Sequence, residues 1–127
     1  MFVICDVDGT VCESARPLSN EMVGLLRALA VNHRLVFISG TDSEELRRMV
    51  TTPLGCDHWV LAEYGAYGYG RVDDLCLTYS GLDEVITMEN RAEIVAVLTE
   101  CLDHFRIKSM ADDVILDRAC QITLSCL

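Results

Sequence analysis

The sequence predicts an α/β fold: an open, mostly parallel sheet core with a β-hairpin, followed by a smaller α+β segment. Three observations lead there. Met1-Phe2-Val3-Ile4-Cys5 is a continuous apolar run ending in Asp6-Val7-Asp8-Gly9-Thr10, and Arg34 to Ile38 and His58 to Ala62 are similar runs. Runs of this kind fit strands buried on both faces, as in a parallel sheet. Between the first two runs, apolar residues recur at helical spacing, which makes a strand–helix–strand unit suited to a right-handed crossover. Near the end, Ile122, Leu124 and Cys126 alternate with Gln121, Thr123 and Ser125, the pattern of a strand with one buried and one wet face.

Taken in order, the first run is a strand, with Gly9 turning the backbone sharply behind it. Residues 11–18 read as a loop. Ser19 is placed to cap a helix in which Met22, Leu25, Leu26 and Leu29 share a side, and Asn32-His33 ends that helix. Residues 34–38 form the second strand, which runs into Ser39-Gly40-Thr41. Thr41 and Glu44 have capping-box spacing, so a second helix is expected to open there, with Leu46, Met49 and Val50 on its apolar side. Pro53 and Gly55 are expected to break it between Thr51 and Asp57.

His58 to Ala62 is the third strand and ends at Glu63-Tyr64-Gly65. Residues 66–79 read as a hairpin with its turn at Val72-Asp73-Asp74. The character changes near residue 80, where a domain boundary is expected. Beyond it, Glu89 to Phe105 is the strongest helical pattern, with Ile94, Val97, Leu98, Cys101, Leu102 and Phe105 on one stripe. A polar connection over 106–113, a strand over 114–118 and the alternating strand over 120–127 complete the chain.

With 127 residues, 51% of them hydrophobic and only two prolines, the chain can bury a real core and is not of disordered composition. Twenty acidic residues against ten Lys and Arg give a net charge of −10. That argues against nucleic acid or an anionic membrane as partner, since both need basic patches. An anionic substrate would need local positive charge, which a divalent cation supplies. The seven cysteines, Cys5, Cys12, Cys56, Cys76, Cys101, Cys120 and Cys126, are odd in number and include no C-x-x-C pair. They read as reduced, buried small hydrophobes and not as a zinc site. No basic stretch precedes the first apolar run, and no run approaches the ~20 residues of a membrane span. A cytoplasmic protein is expected.

Chemistry concentrates at two strand ends. Open parallel sheets bind ligands just beyond the carboxyl ends of their strands, where Asp6 and Asp8 fall. Carboxylates this close ask for a cation or a shared proton. An aspartate there can attack phosphorus to give a transient aspartyl phosphate, a second can move protons, and Mg²⁺ suits the oxygen ligands they offer. At the neighbouring strand end, Ser39-Gly40-Thr41 opens a helix and makes the second half of the site, since a hydroxyl with helix N-terminal amides forms a cradle for a phosphate-sized anion. Thr10 adds a hydroxyl at the lip. An Asp-Gly turn and a serine at a strand-to-helix turn are each ordinary by themselves; their coincidence at adjacent strand ends points to a site.

Asp6-Val7-Asp8-Gly9-Thr10, followed by Phe37-Ile38-Ser39-Gly40-Thr41, resembles the first and second motifs of the haloacid dehalogenase superfamily. Val60-Leu61-Ala62-Glu63-Tyr64-Gly65-Ala66 resembles the following segment in its branch of sugar-phosphate phosphatases and phosphomannomutases, where asparagine or histidine is more usual than Tyr64. Residues 116–125 resemble a cap-domain strand of that branch. The resemblance implies a Rossmann-like (HAD-like) parallel-sheet core with a β-hairpin over residues 1–80 and part of an α+β cap over 81–127. It implies Asp6 as nucleophile, Asp8 as general acid/base, Mg²⁺ held by the Asp6 carboxylate and the Asp8 carbonyl, and Ser39 on the transferring phosphoryl group. Arg118 matches the cap arginine that grips the substrate phosphate in mutases of the branch.

The departure that matters is an absence. The superfamily also carries a third-motif lysine or arginine and a fourth-motif acidic pair at later strand ends. Lys108, Asp112 and Asp113 are the local candidates, but the acids precede the apolar run Val114-Ile115-Leu116 instead of ending one. The chain is therefore expected to stop inside the cap. The expected function is that of an Mg²⁺-dependent phosphohydrolase of a small phosphorylated metabolite such as a sugar phosphate. The alternatives are a phosphosugar mutase, or a truncated non-catalytic remnant that binds metal, phosphate or a partner chain. Open strand edges would favour self-association.

Overall fold

A computed structural model describes residues 1–55, 58–72, 75–80, 86–106, 115–118 and 121–124, of which the side chains of 71–77, 79, 80 and 118 are excluded. The chain divides into two units, Met1–Tyr79 and Ser80–Leu127. The first unit is built on a sheet in which β1 (Phe2–Asp6), β2 (Arg34–Ile38) and β3 (Trp59–Ala62) run parallel. β4 (Tyr67–Val72) returns antiparallel to β3, and β5 (Leu75–Ser80) lies beyond it, giving the order β1-β2-β3-β4-β5. Asp6 pairs with Ile38, and Ile38 with Leu61. This register aligns the carboxyl ends of the three parallel strands, so the residues that follow them gather along one rim.

The core lies on one face of the sheet. Leu35, Phe37, Val60 and Ala62 are buried from the strands, and Val23, Leu26, Leu46, Met49, Val50 and Leu54 meet them from the helices. Strand side chains alternate between faces, so Val3 and Cys5 of β1 pack against this core while Phe2 and Ile4 face away, 60% and 68% exposed. Double-sided burial of the first strand is thus not found. Among the described strands β1 is an edge, paired only with β2.

Helix α1 (Asn20–Ala30) starts as expected, with the Ser19 hydroxyl accepting the Met22 N–H at 3.2 Å. Val23 and Leu26 are buried and Met22 and Leu29 flank them, but Leu25 is 60% exposed because it lies beyond the edge of that stripe. The next helix opens one residue later than the capping-box spacing suggests. Its cap is Asp42, whose carboxylate accepts the Glu45 N–H at 2.9 Å, because the Thr41 hydroxyl is engaged elsewhere. The helix runs through α2 (Ser43–Leu46), a π-helical turn over Arg47–Thr51, and α3 (Thr52–Leu54), ending at Gly55 with φ 71°.

Pro53 does not break this helix. It lacks the N–H that would reach back to Met49, and the Met49 carbonyl instead accepts the Leu18 N–H at 2.9 Å. A wider π-helical turn upstream accommodates the disturbed ladder.

In the second unit, α4 (Met88–Phe105) is capped reciprocally by Thr87 and Asn90. It packs on an antiparallel pair, β6 (Ile115–Arg118) and β7 (Gln121–Leu124), in which Arg118 lies opposite Gln121. Arg91 forms an ion pair with Asp117. The half-buried side of α4 carries Arg91, Val95, Leu98, Cys101 and Leu102, whereas Ile94, Val97 and Phe105 of the expected stripe are exposed. Asp73, Asp74, Lys108, Asp112, Asp113 and Val114 lie outside the described residues. Among those described, no helix is long and apolar enough to cross a membrane.

Candidate active site

The aligned carboxyl ends of β1, β2 and β3 set the site. Asp6 is the last residue of β1, and the buried Val7 anchors the turn behind it. The Val7 N–H donates to the Ile38 carbonyl at 3.2 Å, and its own carbonyl accepts from Thr10, Val11 and Cys12 at 3.1–3.3 Å. Gly9 adopts φ 77°, the left-handed conformation that favours glycine. The tight loop brings Thr10 back over the strand, where its hydroxyl donates to Asp6 Oδ2 at 2.8 Å. Among the described residues, no donor reaches the other Asp6 oxygen.

Asp8 accepts three hydrogen bonds from two segments. Ser39 donates its hydroxyl to Asp8 Oδ2 at 2.8 Å, Thr41 donates to the same oxygen at 3.2 Å, and the Ala15 N–H donates to Oδ1 at 3.3 Å. Ser39 is buried and its oxygen also accepts the Thr41 N–H at 3.0 Å. The proposed halves of the site, at the ends of β1 and β2, are therefore linked directly. The link runs through Asp8: Asp6 and Ser39 share adjacent strand ends but no hydrogen bond.

The loop after Asp8 is tied down from the far side. Arg48 Nη2 donates to the Ala15 carbonyl at 3.3 Å while its Nε holds Glu45 at 2.9 Å. That bond holds the Glu45 carboxyl below its ordinary range and pushes the Arg48 guanidinium up. Cys12, half-buried behind the two aspartates, has its thiol pKa pushed up, first by burial and then by the negative charges of Asp8 and Asp6. A cleft of about 550 Å³ opens beside Thr10, walled by Gly9 to Glu13, Arg16, Pro17 and Ser19.

Two contacts escape a reading of the chain alone. Thr41 belongs to the expected Ser-Gly-Thr run, but its hydroxyl bonds to Asp8 instead of capping the helix. Tyr64 packs its ring against Gly40, where a side-chain carbon would come within 2.5 Å of it. Gly40 is thus a notch for an aromatic ring as well as a turn residue. Arg118 stands in the second unit at the end of β6, and its side chain lies outside the described residues.

Among the described residues no three acidic, histidine or cysteine side chains converge on a point. Asp6 and Asp8 nonetheless offer hard carboxylate oxygens, with one Asp6 oxygen open. Mg²⁺ is commonly held by one or two carboxylates while it keeps several waters. The donor chemistry fits that ion.

No protein-family model matches the chain and no curated protein matches it. Solved structures do. A haloacid dehalogenase-like hydrolase from B. subtilis superposes with TM-score 0.59 at 22% identity, over 80% of this chain and 34% of that one. An IMP-nucleotidase from Plasmodium falciparum gives TM-score 0.60 at 11% identity, over 93% of this chain and 38% of that one. A trehalose-6-phosphate phosphatase from Aspergillus fumigatus gives TM-score 0.53 at 21% identity, over 94% and 43%. The chain therefore spans 34–43% of the length of these three structures. Its fold is that of the haloacid dehalogenase-like hydrolases.

Proposed function

We propose that this chain carries the nucleophile and the phosphate cradle of an Mg²⁺-dependent phosphohydrolase acting on a small phosphorylated metabolite. One observation carries the reading: Asp6 presents an open carboxylate oxygen at the end of β1, and Asp8, two residues on, is bonded to the hydroxyls of Ser39 and Thr41 at the end of β2. The likeness to structures named as a trehalose-6-phosphate phosphatase and an IMP-nucleotidase supports phosphate monoesters as the substrate class.

In this reading the phosphoryl group enters beside Gly40 at the end of β2 and takes over the Ser39 and Thr41 hydroxyls as donors, with Thr10 at the lip. That exchange releases Asp8 Oδ2. Asp6 attacks phosphorus, the bond to the ester oxygen breaks, and Asp8, protonated from solvent, hands its proton to the leaving alkoxide. Asp8 then takes a proton from water, which attacks the aspartyl phosphate and releases inorganic phosphate and free Asp6. Mg²⁺, held by Asp6 and Asp8, would supply positive charge around the phosphoryl oxygens. A substrate-gripping role for Arg118 belongs to the same proposal.

The test is release of inorganic phosphate from a hexose phosphate with and without Mg²⁺, for the native chain and Asp6→Asn. Metal-dependent release that falls at least ~10³-fold in the variant supports the reading. Release that survives the substitution, or no release from the native chain, overturns it.

A further inference from the structure

The turn that ends β3 is unusual in its backbone. Glu63, Tyr64 and Gly65 are all left-handed, with φ of 51°, 56° and 86°. Only Gly65 adopts this conformation without strain, and strained residues persist where surrounding bonds over-determine them. Here they do: the Glu63 N–H donates to the Thr41 carbonyl at 3.1 Å, the Tyr64 N–H to the Ser39 carbonyl at 3.0 Å, and the Ala66 N–H to the Glu63 carbonyl at 3.1 Å. The turn is clamped to the two residues whose hydroxyls hold Asp8.

The clamp delivers a large side chain to a place where it buries little. Tyr64 is 76% exposed and takes no part in the core. Its phenol end rests on Gly40, within 2.5 Å of where a Cβ would sit for Cζ and 2.7 Å for the hydroxyl. Folding therefore spends strain and a glycine to stand an open aromatic ring beside the phosphate cradle.

We infer that Tyr64 sets specificity at this site, as the wall against which the ring of a phosphate monoester's leaving group stacks. This rests on the phosphohydrolase reading above. A phosphoryl group held at Ser39 and Thr41 puts the adjoining ring of such an ester within reach of the exposed aromatic face. Ring faces of that kind attract sugar C–H groups and nucleobases alike.

The experiment compares the native chain, Tyr64→Phe and Tyr64→Leu on a hexose 6-phosphate, a nucleoside 5′-monophosphate and the ringless glycerol 1-phosphate. The leucine variant should raise KM for a ring-bearing ester about tenfold while kcat stays within about twofold, leave glycerol 1-phosphate unchanged, and be rescued by phenylalanine. Whichever ring ester shows the effect identifies the sugar or the nucleoside as the source. Equal effects on all three esters, or none, overturn the inference. Saturation-transfer NMR with the same three esters is read in parallel. Absence of turnover in the native chain then counts against the phosphohydrolase reading, while the ring-proton signal still decides Tyr64. A ring signal that is the same in the native chain and in Tyr64→Leu, or absent from both, overturns the stacking role.

Discussion

Asp8 accepts hydrogen bonds from Ser39, Thr41 and Ala15, which belong to two segments far apart in the chain. Its position reports on the whole loop system, and Cys12 is the natural probe because Asp8 and Asp6 both raise its pKa. Replacing Asp8 with Asn removes one of those charges. Alkylation of Cys12 by iodoacetamide at pH 8 should then speed up several-fold, as more thiolate is present. Burial also raises the thiol pKa of Cys5. A folded state that keeps its thiols protonated longer than the unfolded chain has its full stability below the ordinary thiol value of about 8.5 and loses it as pH rises through the raised values. Thermal melts between pH 7 and 10 should show that decline, and Cys5→Ala should lessen it. At this scale the placement of Asp6, Asp8, Ser39 and Thr10 at or just beyond strand ends was legible because it depends only on neighbouring residues. The contacts of Thr41 with Asp8 and of Tyr64 with Gly40 were not, since they join residues 33 and 24 positions apart in the chain.

Between elements, the glycines separate two kinds of close approach. A Cβ on Gly70 of β4 would sit 2.7 Å from the Trp59 Cα and 3.0 Å from the His58 carbonyl, both backbone atoms of the β3 side. Neither can yield without spoiling the β3–β4 pairing. Gly70→Ala should therefore cost about 1–3 kcal/mol in urea denaturation. The nearest atoms that a Cβ on Gly40 would meet are those of the exposed Tyr64 ring, which can swing away. Gly40→Ala should change stability by no more than about 0.5 kcal/mol while displacing that ring. The helix after β2 teaches a related lesson. Pro53 reads as a breaker, yet the helix continues to Leu54, because a distant N–H, that of Leu18, meets the Met49 carbonyl.

Over the first unit as a whole, the apolar residues of β1 and β2 are not equivalent. Phe37 is fully buried at the centre of the core, whereas Ile4, in an equally apolar run, is 68% exposed on the other face. Phe37→Ala should cost about 3–5 kcal/mol, and Ile4→Ala no more than about 0.5 kcal/mol, both read from urea midpoints at constant slope. A large loss at Ile4 would mean that this face is covered in solution. Apolar runs mark strands because a pleated backbone with both faces dry selects such residues, but a run does not say which face the chain itself covers.

By itself the sequence determined the α/β class, the order of strands and helices, the Ser19 cap and the pair of strand ends that bear Asp6, Asp8 and Ser39. Each follows from periodicity or from groups within a few residues of one another. Tertiary structure alone decided that Asp8, and not Asp6, bonds to Ser39, that the Thr41 hydroxyl bonds to Asp8 instead of capping the helix, and that an aromatic ring leans on Gly40. Those outcomes depend on the parallel register that sets residue 6 beside residue 38 and residue 38 beside residue 61. Register is a property of paired strands, and no single stretch of the chain contains it.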